Sequence, residues 1–327
     1  MKVAVIGAGV AGLCCARELL CRGVEVDVFE KSRGLGGRLA NKRLHWGQFD
    51  LGAQYFTARD QRFQQQVSIW EDQGIVQRWA FTPSVLTADT LQPSPDKILR
   101  YVGSPKMNSI AHALAEGLKV VCQTRVTGVT GSAKEGWTIC LENKDRHPGY
   151  DWVVLTVPGE QCIPLIAEKT VLAEKIPAYI HRPCWSLALA TRGVVASHIQ
   201  GIFGDESVTW VSRLSSRPAS PKSAEYDDLW MLHFSPEWSA MNEQLLPETV
   251  ASLGIEWLQN TLRVTLSCEH WYPHYWRYAS IKSNIESPSV LVDPEQHLAI
   301  AGAWCCQGRV EGAYLSGLDV VDRLISS

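Results

Sequence analysis

The chain has 327 residues, of which 46% are hydrophobic and 20% charged, the balance of a globular protein of one or two domains. Lysine and arginine number 31 against 34 aspartates and glutamates, which gives a net charge of −3. This balance offers no basic field for nucleic acid or for an acidic membrane, so neither is expected as a partner.

The cysteines and the first residues bear on location. Ten cysteines are scattered through a long chain without the spacing of a zinc site, so no metal is expected. Residues 1–6 run directly into a glycine motif, which argues against a signal peptide. No apolar run approaches the length of a membrane span. The sequence therefore predicts a cytoplasmic protein with reduced thiols.

The first thirty residues predict a strand, a glycine turn, a helix and a second strand. Residues 3–6 form a short apolar run, as expected of a strand buried on both faces. Residues 13–22 have helical composition and are followed by Gly23, a natural helix end. Residues 24–29 alternate apolar and acidic positions and lead into Glu30. This order is the βαβ unit of a Rossmann-type dinucleotide-binding domain.

The glycines of the turn have separate physical roles. Gly7 permits the tight turn, Gly9 lets a pyrophosphate approach the backbone, and Gly12 lets the helix pack on the strand. The phosphates would lie at the positive end of the helix dipole. Glu30 is placed to accept hydrogen bonds from a ribose diol. This motif alone does not distinguish FAD from NAD.

Two further segments favour FAD. Residues 31–38 (KSRGLGGR) place a double glycine and Arg38 just past the ribose acid, which suits a second contact along a long pyrophosphate. Residues 50–60 (DLGAQYFTARD) follow soon after.

The middle of the chain predicts helices and short strands. Residues 59–76 read as a polar helix with one apolar stripe, and residues 107–118 as a second helix. Strand-like stretches follow, which suggest a β-meander that crosses over the nucleotide domain. They are residues 120–121, 126–129, 136–141 and 152–157.

The second half predicts a mainly antiparallel sheet followed by a return to the first domain. Strands are expected from residue 185 onward, together with a helix at 247–262 that has proline near its start. A strand ending at Gly302 and a helix beginning near Gly312 would aim backbone N–H groups at the pyrimidine edge of a flavin. Such a helix end stabilises the negative charge of reduced flavin.

These segments resemble the flavin-containing amine oxidase superfamily, and within it residues 50–60 resemble the renalase family, particularly its bacterial members. The likeness recurs at 156–158, at 274–279 and at 308–317 (GRVEGAYLSG). It implies an α/β two-domain flavoprotein, with a Rossmann-type FAD-binding domain and a second, mainly antiparallel-sheet substrate domain. The FAD domain would comprise residues 1–58, 99–160 and 277–327, and the substrate domain residues 59–98 and 161–276.

The resemblance also implies noncovalent FAD and a set of cofactor contacts. Arg38, Gln54 and Tyr55 would touch the flavin, and the backbone of Val126 would hold the adenine end. Ala303 departs from the pattern, because related flavoproteins carry an acidic residue there that binds a ribityl hydroxyl. The full predicted cofactor set is Gly7, Gly9, Val10, Ala11, Gly12, Glu30, Lys31, Gly37, Arg38, Gln54, Tyr55, Val126, Gly302, Ala303, Glu311, Gly312 and Ala313.

The residue at position 309 bears on the substrate. Amine oxidases of the superfamily place an aromatic cage residue three positions before the glycine that corresponds to Gly312, and this chain has Arg309 there. A guanidinium is a poor neighbour for an ammonium and a good one for phosphate or carbonyl. A counterpart of the lysine that those enzymes place near flavin N5 is also not evident.

Renalases oxidise off-position dihydronicotinamide dinucleotides to NAD(P)⁺ and pass the electrons to O₂, giving H₂O₂. The resemblance implies the same substrates here, with an amine oxidase or another hydride-abstracting flavin oxidase as the alternative. A non-catalytic FAD-binding sensor or scaffold is the alternative of another class. The candidate residues lining the substrate site are Tyr55, His233, His274, Trp276, Arg277, Trp304 and Arg309.

Several of these residues have structural readings as well. His233 follows an apolar strand, as a hydrogen-bonded structural histidine would, and Trp276 could belong to the core. Arg277 is equally a candidate for a buried ion pair, and Arg309 for orienting its loop. Cys305 is interpreted as a packed thiol rather than a covalent flavin attachment.

Overall fold

The structure, a computed structural model, describes residues 1–166, 169–176, 181–220, 225–281 and 288–326. The strands of the first half are β1 (Lys2–Ile6), β2 (Glu25–Phe29), β3 (Asn41–Leu44), β4 (Gly47–Asp50), β5 (Val76–Arg78), β6 (Ser84–Thr87), β7 (Thr90–Pro93), β8 (Tyr101–Gly103), β9 (Lys119–Val121), β10 (Val126–Ser132) and β11 (Gly136–Leu141). Those of the second half are β12 (Arg146–Tyr150), β13 (Trp152–Leu155), β14 (His181–Arg192), β15 (Gly201–Phe203), β16 (Val208–Arg213), β17 (Asp228–Phe234), β18 (Ser267–Ile281), β19 (Val290–Asp293) and β20 (Leu298–Ala301). The helices are α1 (Val10–Cys21), α2 (Gln61–Asp72), α3 (Ser109–Leu114), α4 (Gly159–Ile166), α5 (Leu172–Lys175), α6 (Pro236–Met241), α7 (Pro247–Leu262) and α8 (Arg309–Ile325).

The first of the two main sheets has six strands, in the order β19-β20-β13-β1-β2-β9. Strands β20, β13, β1, β2 and β9 are parallel, and β19 pairs antiparallel at the edge. Strand β1 lies near the middle, and its residues 3–6 are at most 4% exposed. An apolar run without alternation fits this position, because helices or other strands cover both faces of a parallel sheet. The predicted βαβ unit is confirmed.

The second main sheet has seven strands, in the order β18-β14-β17-β16-β15-β6-β7. All neighbours in it are antiparallel except β15 and β6. The long strands β14 and β18 pair from end to end. The predicted combination of a Rossmann-type half with a mainly antiparallel second sheet is therefore confirmed.

The predicted β-meander is partly wrong. Only β10, β11 and β12 form a separate antiparallel sheet, whereas β9 and β13 belong to the parallel sheet. The four stretches have similar composition, and the pairing partners of β9 and β13, strands β2, β1 and β20, lie far away in the sequence. The helix predicted at 107–118 is also shorter, since α3 covers only Ser109–Leu114.

The C-terminal helix α8 packs between α1 and α2. The Cβ position of Gly317 lies 2.6 Å from the carbonyl oxygen of Ala11 on α1. On the other side, the Tyr314 ring lies 5.2 Å from that of Phe63 on α2. Helix α2 thus packs on α8, while the hairpin β6–β7 joins the second sheet. The domain boundaries remain a prediction, and their ranges include 167–168, 177–180, 221–224, 282–287 and 327, which lie outside the described residues.

In the part of the chain that the structure describes, no helix combines the length and the apolar character that crossing a membrane requires.

We expect Gly317→Ala to lower the free energy of unfolding by about 1–3 kcal/mol, because the new methyl group would collide with the α1 backbone. Gly128→Ala is the matched control, since no heavy atom lies within 4 Å of its Cβ position. Denaturant unfolding with unchanged m-values measures both effects. Equal unfolding midpoints for the two variants would contradict the close packing of α1 and α8.

Candidate cofactor and substrate site

The glycine turn after β1 brings three backbone segments into contact. Gly7 has a φ of 109° and donates its N–H to the carbonyl oxygen of Phe29 at 2.8 Å. A Cβ on Gly12 would lie 2.0 Å from the Gly7 carbonyl oxygen, so only glycine allows α1 to begin this close. The Cβ position of Gly9 has no heavy atom within 4 Å. The first N–H groups of a helix lack partners within it, so this open side of the turn fits a pyrophosphate.

Glu30 lies at the end of β2 and is 7% exposed. Its carboxylate accepts hydrogen bonds from the N–H of Ala8 at 2.8 Å and from that of Ser32 at 2.7 Å. A carboxylate has about four acceptor positions, so the group can also receive a ribose hydroxyl. The neighbouring Lys31 is exposed and donates to the amide oxygen of Gln161 at 3.0 Å, which turns its ammonium toward α4.

Arg38 connects the two halves of the molecule. Its guanidinium donates to the carbonyl oxygen of Ala279 on β18 at 3.0 Å. Its own carbonyl oxygen lies 2.0 Å from the Cβ position of Gly52, so the two segments cross without room for a side chain. Burial lowers the pKa of Arg38, and the Glu160 carboxylate opposes that shift. A half-buried guanidinium beside the glycine turn fits an anionic part of the cofactor.

Sequence reasoning missed a pair close to Arg38, formed by a buried histidine and a half-buried glutamate. Glu160, in the first turn of α4, accepts from the backbone N–H of His181 at 2.9 Å and contacts its Nδ1 at 2.7 Å. The His181 side chain is fully buried, and its Nε2 has no hydrogen-bond partner. Burial lowers the pKa of His181, and the charge of Arg38 lowers it further, against the effect of Glu160. Burial by itself would raise the pKa of Glu160, but the hydrogen bonds from His181 outweigh it.

Gln54 fixes the segment that follows β4. Its amide nitrogen donates to the carbonyl oxygens of Asp50 and Gly52, and its amide oxygen accepts from the Ser212 hydroxyl at 2.7 Å. The side chain is 3% exposed, and protein groups already bind both ends of the amide. Gln54 thus positions its neighbour Tyr55, which is half-buried. A flavin contact of Gln54 itself stays a prediction.

Three of the candidate substrate residues lie together on the second sheet. His233 on β17 and His274 on β18 both pair with Ser186 of the intervening β14, which places them in one row. Trp276 contacts His274 edge-on, with ring centres 4.7 Å apart. His233 Nε2 and Trp276 Nε1 both donate to the carbonyl oxygen of Leu51, each at 3.1 Å. Burial lowers the pKa of His233 to about 4.

Three other candidate residues lie elsewhere. The Arg277 side chain is 69% exposed and pairs with Glu243 at 2.9 Å, so the expectation of a buried ion pair is wrong. Strand alternation explains this, because Arg277 faces away from Trp276. Trp304 is 1% exposed and donates to the carbonyl oxygen of Val157 at 3.2 Å. Arg309 is exposed at the start of α8, with a left-handed φ of 64°.

The C-terminal helix begins at Arg309, three residues earlier than predicted. A Cβ on Gly312 would lie 1.8 Å from the Cys306 carbonyl oxygen, so the preceding loop folds directly against the helix. The Glu311 carboxylate accepts from the backbone N–H groups of residues 59–60 at 2.6 and 2.8 Å. In this structure Glu311 therefore fastens the segment that carries Tyr55 to α8, and its predicted cofactor contact is untested.

Other predicted cofactor residues lie beside the start of α8, and one lies at the start of β10. Gly302, Ala303 and Ala313 are buried at the junction of β20 and α8. Cys305 is buried beside them, and burial raises the pKa of its thiol well above the usual range, in agreement with the packed-thiol reading. Val126 is half-buried at the start of β10.

The glycine turn, Glu30 and the segment leading to α8 all follow the carboxyl ends of parallel strands, β1, β2 and β20, and therefore lie along one edge of the sheet, with Arg38 close to the glycine turn in the sequence. The segment with Tyr55 joins this edge to the row containing His233, while Arg277 points away from that row. The Glu160–His181 pair had no sequence signal, because a histidine and a glutamate 21 residues apart match no known spacing.

Comparison with known proteins gives two matches along the sequence. Residues 5–68 match NAD(P)-binding Rossmann-like domains, and residues 79–325 match flavin containing amine oxidoreductases. A 52-residue segment is 46% identical to 4,4'-diapophytoene desaturase (4,4'-diaponeurosporene-forming) of Staphylococcus aureus. That segment covers 16% of this chain and 10% of the desaturase, so the chain matches about a tenth of this relative's length.

Solved structures share the fold over the whole chain. A provisionally assigned protoporphyrinogen oxidase from an Exiguobacterium species superposes with a TM-score of 0.77 at 10% identity, covering 100% of this chain and 99% of the other. A putrescine oxidase with bound putrescine gives 0.75 at 12% identity, covering 100% of both chains. At such identities the likeness establishes the fold alone.

The buried His233 predicts an acid-dependent loss of stability. Its folded pKa lies below the unfolded value, so its contribution is fully present above about pH 6.5 and is lost as the pH falls toward 4. We expect His233→Gln, whose amide can still donate to Leu51 without titrating, to reduce the loss of unfolding free energy between pH 7.5 and 5 by about 1–2 kcal/mol.

Denaturant titrations at the two pH values measure this difference. His198→Gln is the control, because it makes the same substitution at an exposed histidine far from Leu51 in the sequence. An identical pH dependence for wild type and His233→Gln would show that His233 is not held neutral by burial.

Proposed function

The chain belongs to the family of flavin-containing amine oxidoreductases. On that premise we propose that it is an FAD-dependent oxidoreductase that oxidises 2- or 6-dihydro isomers of NAD(P). The products are NAD(P)⁺ and, with O₂ as electron acceptor, H₂O₂. The resemblance of residues 50–60 to renalases supports this choice of substrate.

The described residues fit the cofactor in a defined order. The N–H groups at the start of α1 would hold the pyrophosphate and Glu30 a ribose diol. Arg38 would bind an anionic group between the two halves, and the start of α8 would face the flavin ring. FAD held there would supply a hydride acceptor, and its reoxidation would give O₂ the two electrons and one proton of the hydride, with the second proton of H₂O₂ taken from solvent.

The reaction requires positioning rather than a base. A C–H bond of the dihydropyridine breaks, both of its electrons leave with the hydrogen, and the ring becomes an aromatic cation. No proton has to be removed from the substrate carbon or nitrogen. The task of the protein is to hold the ring at the flavin and keep it oriented.

The observation that carries the proposal is the state of His233. Its Nε2–H is committed to the carbonyl oxygen of Leu51, and burial lowers its pKa to about 4. The imidazole is therefore a neutral donor at neutral pH and a poor proton acceptor on that nitrogen. Trp276 shares the same carbonyl. A row of groups fixed in this manner suits hydride transfer better than deprotonation of an ammonium.

Arg309 supports the same choice. It occupies the position of an aromatic cage residue in the superfamily's amine oxidases, and its side chain is exposed at the start of α8. A guanidinium there repels an ammonium and attracts the phosphates of a dinucleotide.

The test is anaerobic mixing of the FAD-loaded protein with isomerised dihydronicotinamide dinucleotides, and separately with primary amines and polyamines. Flavin absorbance should bleach rapidly with the isomers, with NAD(P)⁺ as product, and should not respond to amines. Bleaching by an amine alone would overturn the proposal and favour an amine oxidase. Silence with both would favour a flavin-binding scaffold.

The bleaching rate constant should also vary less than about threefold between about pH 6 and 9, because no proton transfer precedes the hydride step. Stopped-flow absorbance at saturating substrate measures it. An amine substrate would instead give a steep rise with pH, since only the neutral amine can be oxidised.

A further inference from the structure

A cluster of Arg100 and five aromatic residues contains three buried hydrogen-bond donors that have no acceptor. The aromatic residues of this cluster, called here the Arg100 cluster, are Tyr55, Trp79, Phe81, Phe203 and Trp210. The donors are Arg100 Nε, Trp79 Nε1 and Trp210 Nε1, each without a partner among the described residues. Arg100 is 4% exposed, Trp79 3% and Trp210 8%.

Strand pairing places these residues together. Strands β5 and β8 are antiparallel, and the Trp79 N–H donates to the Arg100 carbonyl oxygen at 2.9 Å just beyond the ladder. Phe203 on β15 pairs with Trp210 on β16. The Cβ position of Gly201 lies 2.7 Å from both the Phe81 and Trp210 rings, so these rings meet over a residue without a side chain.

The rings surround the guanidinium. The central carbon of Arg100 lies 5.2 Å from the centre of the Tyr55 ring, 5.6 Å from that of Phe81 and 5.7 Å from that of Phe203. Trp210 contacts Tyr55 with ring centres 5.2 Å apart. Tyr55, Phe81 and Phe203 are half-buried, so these three rings are accessible while the three unpartnered donors lie deeper.

The charge of Arg100 is already balanced. Asp96 accepts from Nη1 at 3.1 Å and from Nη2 at 2.6 Å, and the Ile98 carbonyl oxygen also accepts from Nη1. These contacts use both N–H groups of Nη1 and one of the two on Nη2, and the Tyr55 side chain also interacts with the guanidinium, whereas Nε has no partner. The cluster therefore combines near-neutral charge with three N–H groups, one each on Arg100, Trp79 and Trp210, that lack an acceptor.

We propose that the Arg100 cluster is the substrate subsite that receives the carbonyl oxygen of a planar, uncharged group, namely the carboxamide of the dihydropyridine ring. A carbonyl oxygen has two lone pairs and can accept from two of the three donors at once. The aromatic rings provide flat apolar walls for the ring that bears it. This inference rests on the proposed function and deepens it.

The same chemistry selects against other ligands. An ammonium brings only donors to a cluster that needs an acceptor, and its charge would be buried without a counterion because Asp96 is already paired with Arg100. A phosphate carries more charge than the Asp96-paired guanidinium can neutralise. A neutral carbonyl satisfies the donors without introducing a buried net charge.

The experiment uses Trp79→Phe and Trp210→Phe, which keep an aromatic ring and remove the N–H group. Trp137→Phe is the matched control, because Trp137 is 1% exposed and its Nε1 donates to the Gln296 carbonyl oxygen at 3.0 Å. Equilibrium binding to the FAD-loaded protein is measured for oxidised nicotinamide adenine dinucleotide and for its analogue that has a pyridine ring without the carboxamide.

Each cluster variant should bind the nicotinamide dinucleotide about fivefold to tenfold more weakly and the pyridine analogue unchanged. Its unfolding midpoint without ligand should fall less than that of Trp137→Phe, because each substitution shortens a buried ring but only Trp137→Phe also removes a hydrogen bond. Trp137→Phe should show the reverse, with a lower midpoint and unchanged binding.

Equal weakening for both ligands, or no weakening for either, would overturn the subsite. A fall in stability equal to that of Trp137→Phe would also overturn it, because the N–H groups would then have partners in the free protein. Failure of the proposed function appears separately, as absence of bleaching by the dihydro isomers. The subsite stands in that case if another planar carbonyl compound, nicotinamide itself, binds with the same dependence on Trp79 and Trp210.

Discussion

The site depends on backbone segments that touch each other where no side chain fits. Gly12 brings the start of α1 against the turn at Gly7, and Gly317 brings α8 against α1. These contacts fix α1 at the end of β1 and α8 against α1, and we expect the N–H groups at the two helix starts to define where a long dinucleotide lies. The residues predicted to bind the cofactor are arranged around these main-chain contacts, and Arg38 and Gln54 attach the second sheet to them.

The fold could be predicted where the order of residues along the chain determines neighbours. The βαβ unit and α7 follow from periodicity, glycine and proline, all local properties. The misplacement of β9 and β13 has the opposite origin, since a stretch of two to six residues does not reveal its partner strand. The predicted start of α8 was placed too late, at Gly312, whereas the helix begins three residues earlier at Arg309.

The same distinction explains the site. Gly7, Glu30 and Arg38 belong to contiguous motifs and could be named from sequence. The Glu160–His181 pair and the Arg100 cluster could not, because each joins residues of separate elements that only folding brings together. Trp79 and Trp210 are 131 positions apart and give no pattern, although the burial of tryptophan without a partner for its N–H is a clear signal once the structure is known. The exposure of Arg277 could not be predicted for a related reason, since the face on which a strand residue lies depends on the pairing register.

The two hydrogen bonds that Glu311 accepts from residues 59–60 have a consequence for the evolution of this protein's sequence. They tie the segment that carries Tyr55 to the first turn of α8, so these two parts of the site share one support. A substitution that shifts α8 therefore also shifts the Tyr55 ring. Variation in substrate preference should therefore arise through paired changes in the two segments, or through residues such as Trp210 that lie outside this shared support.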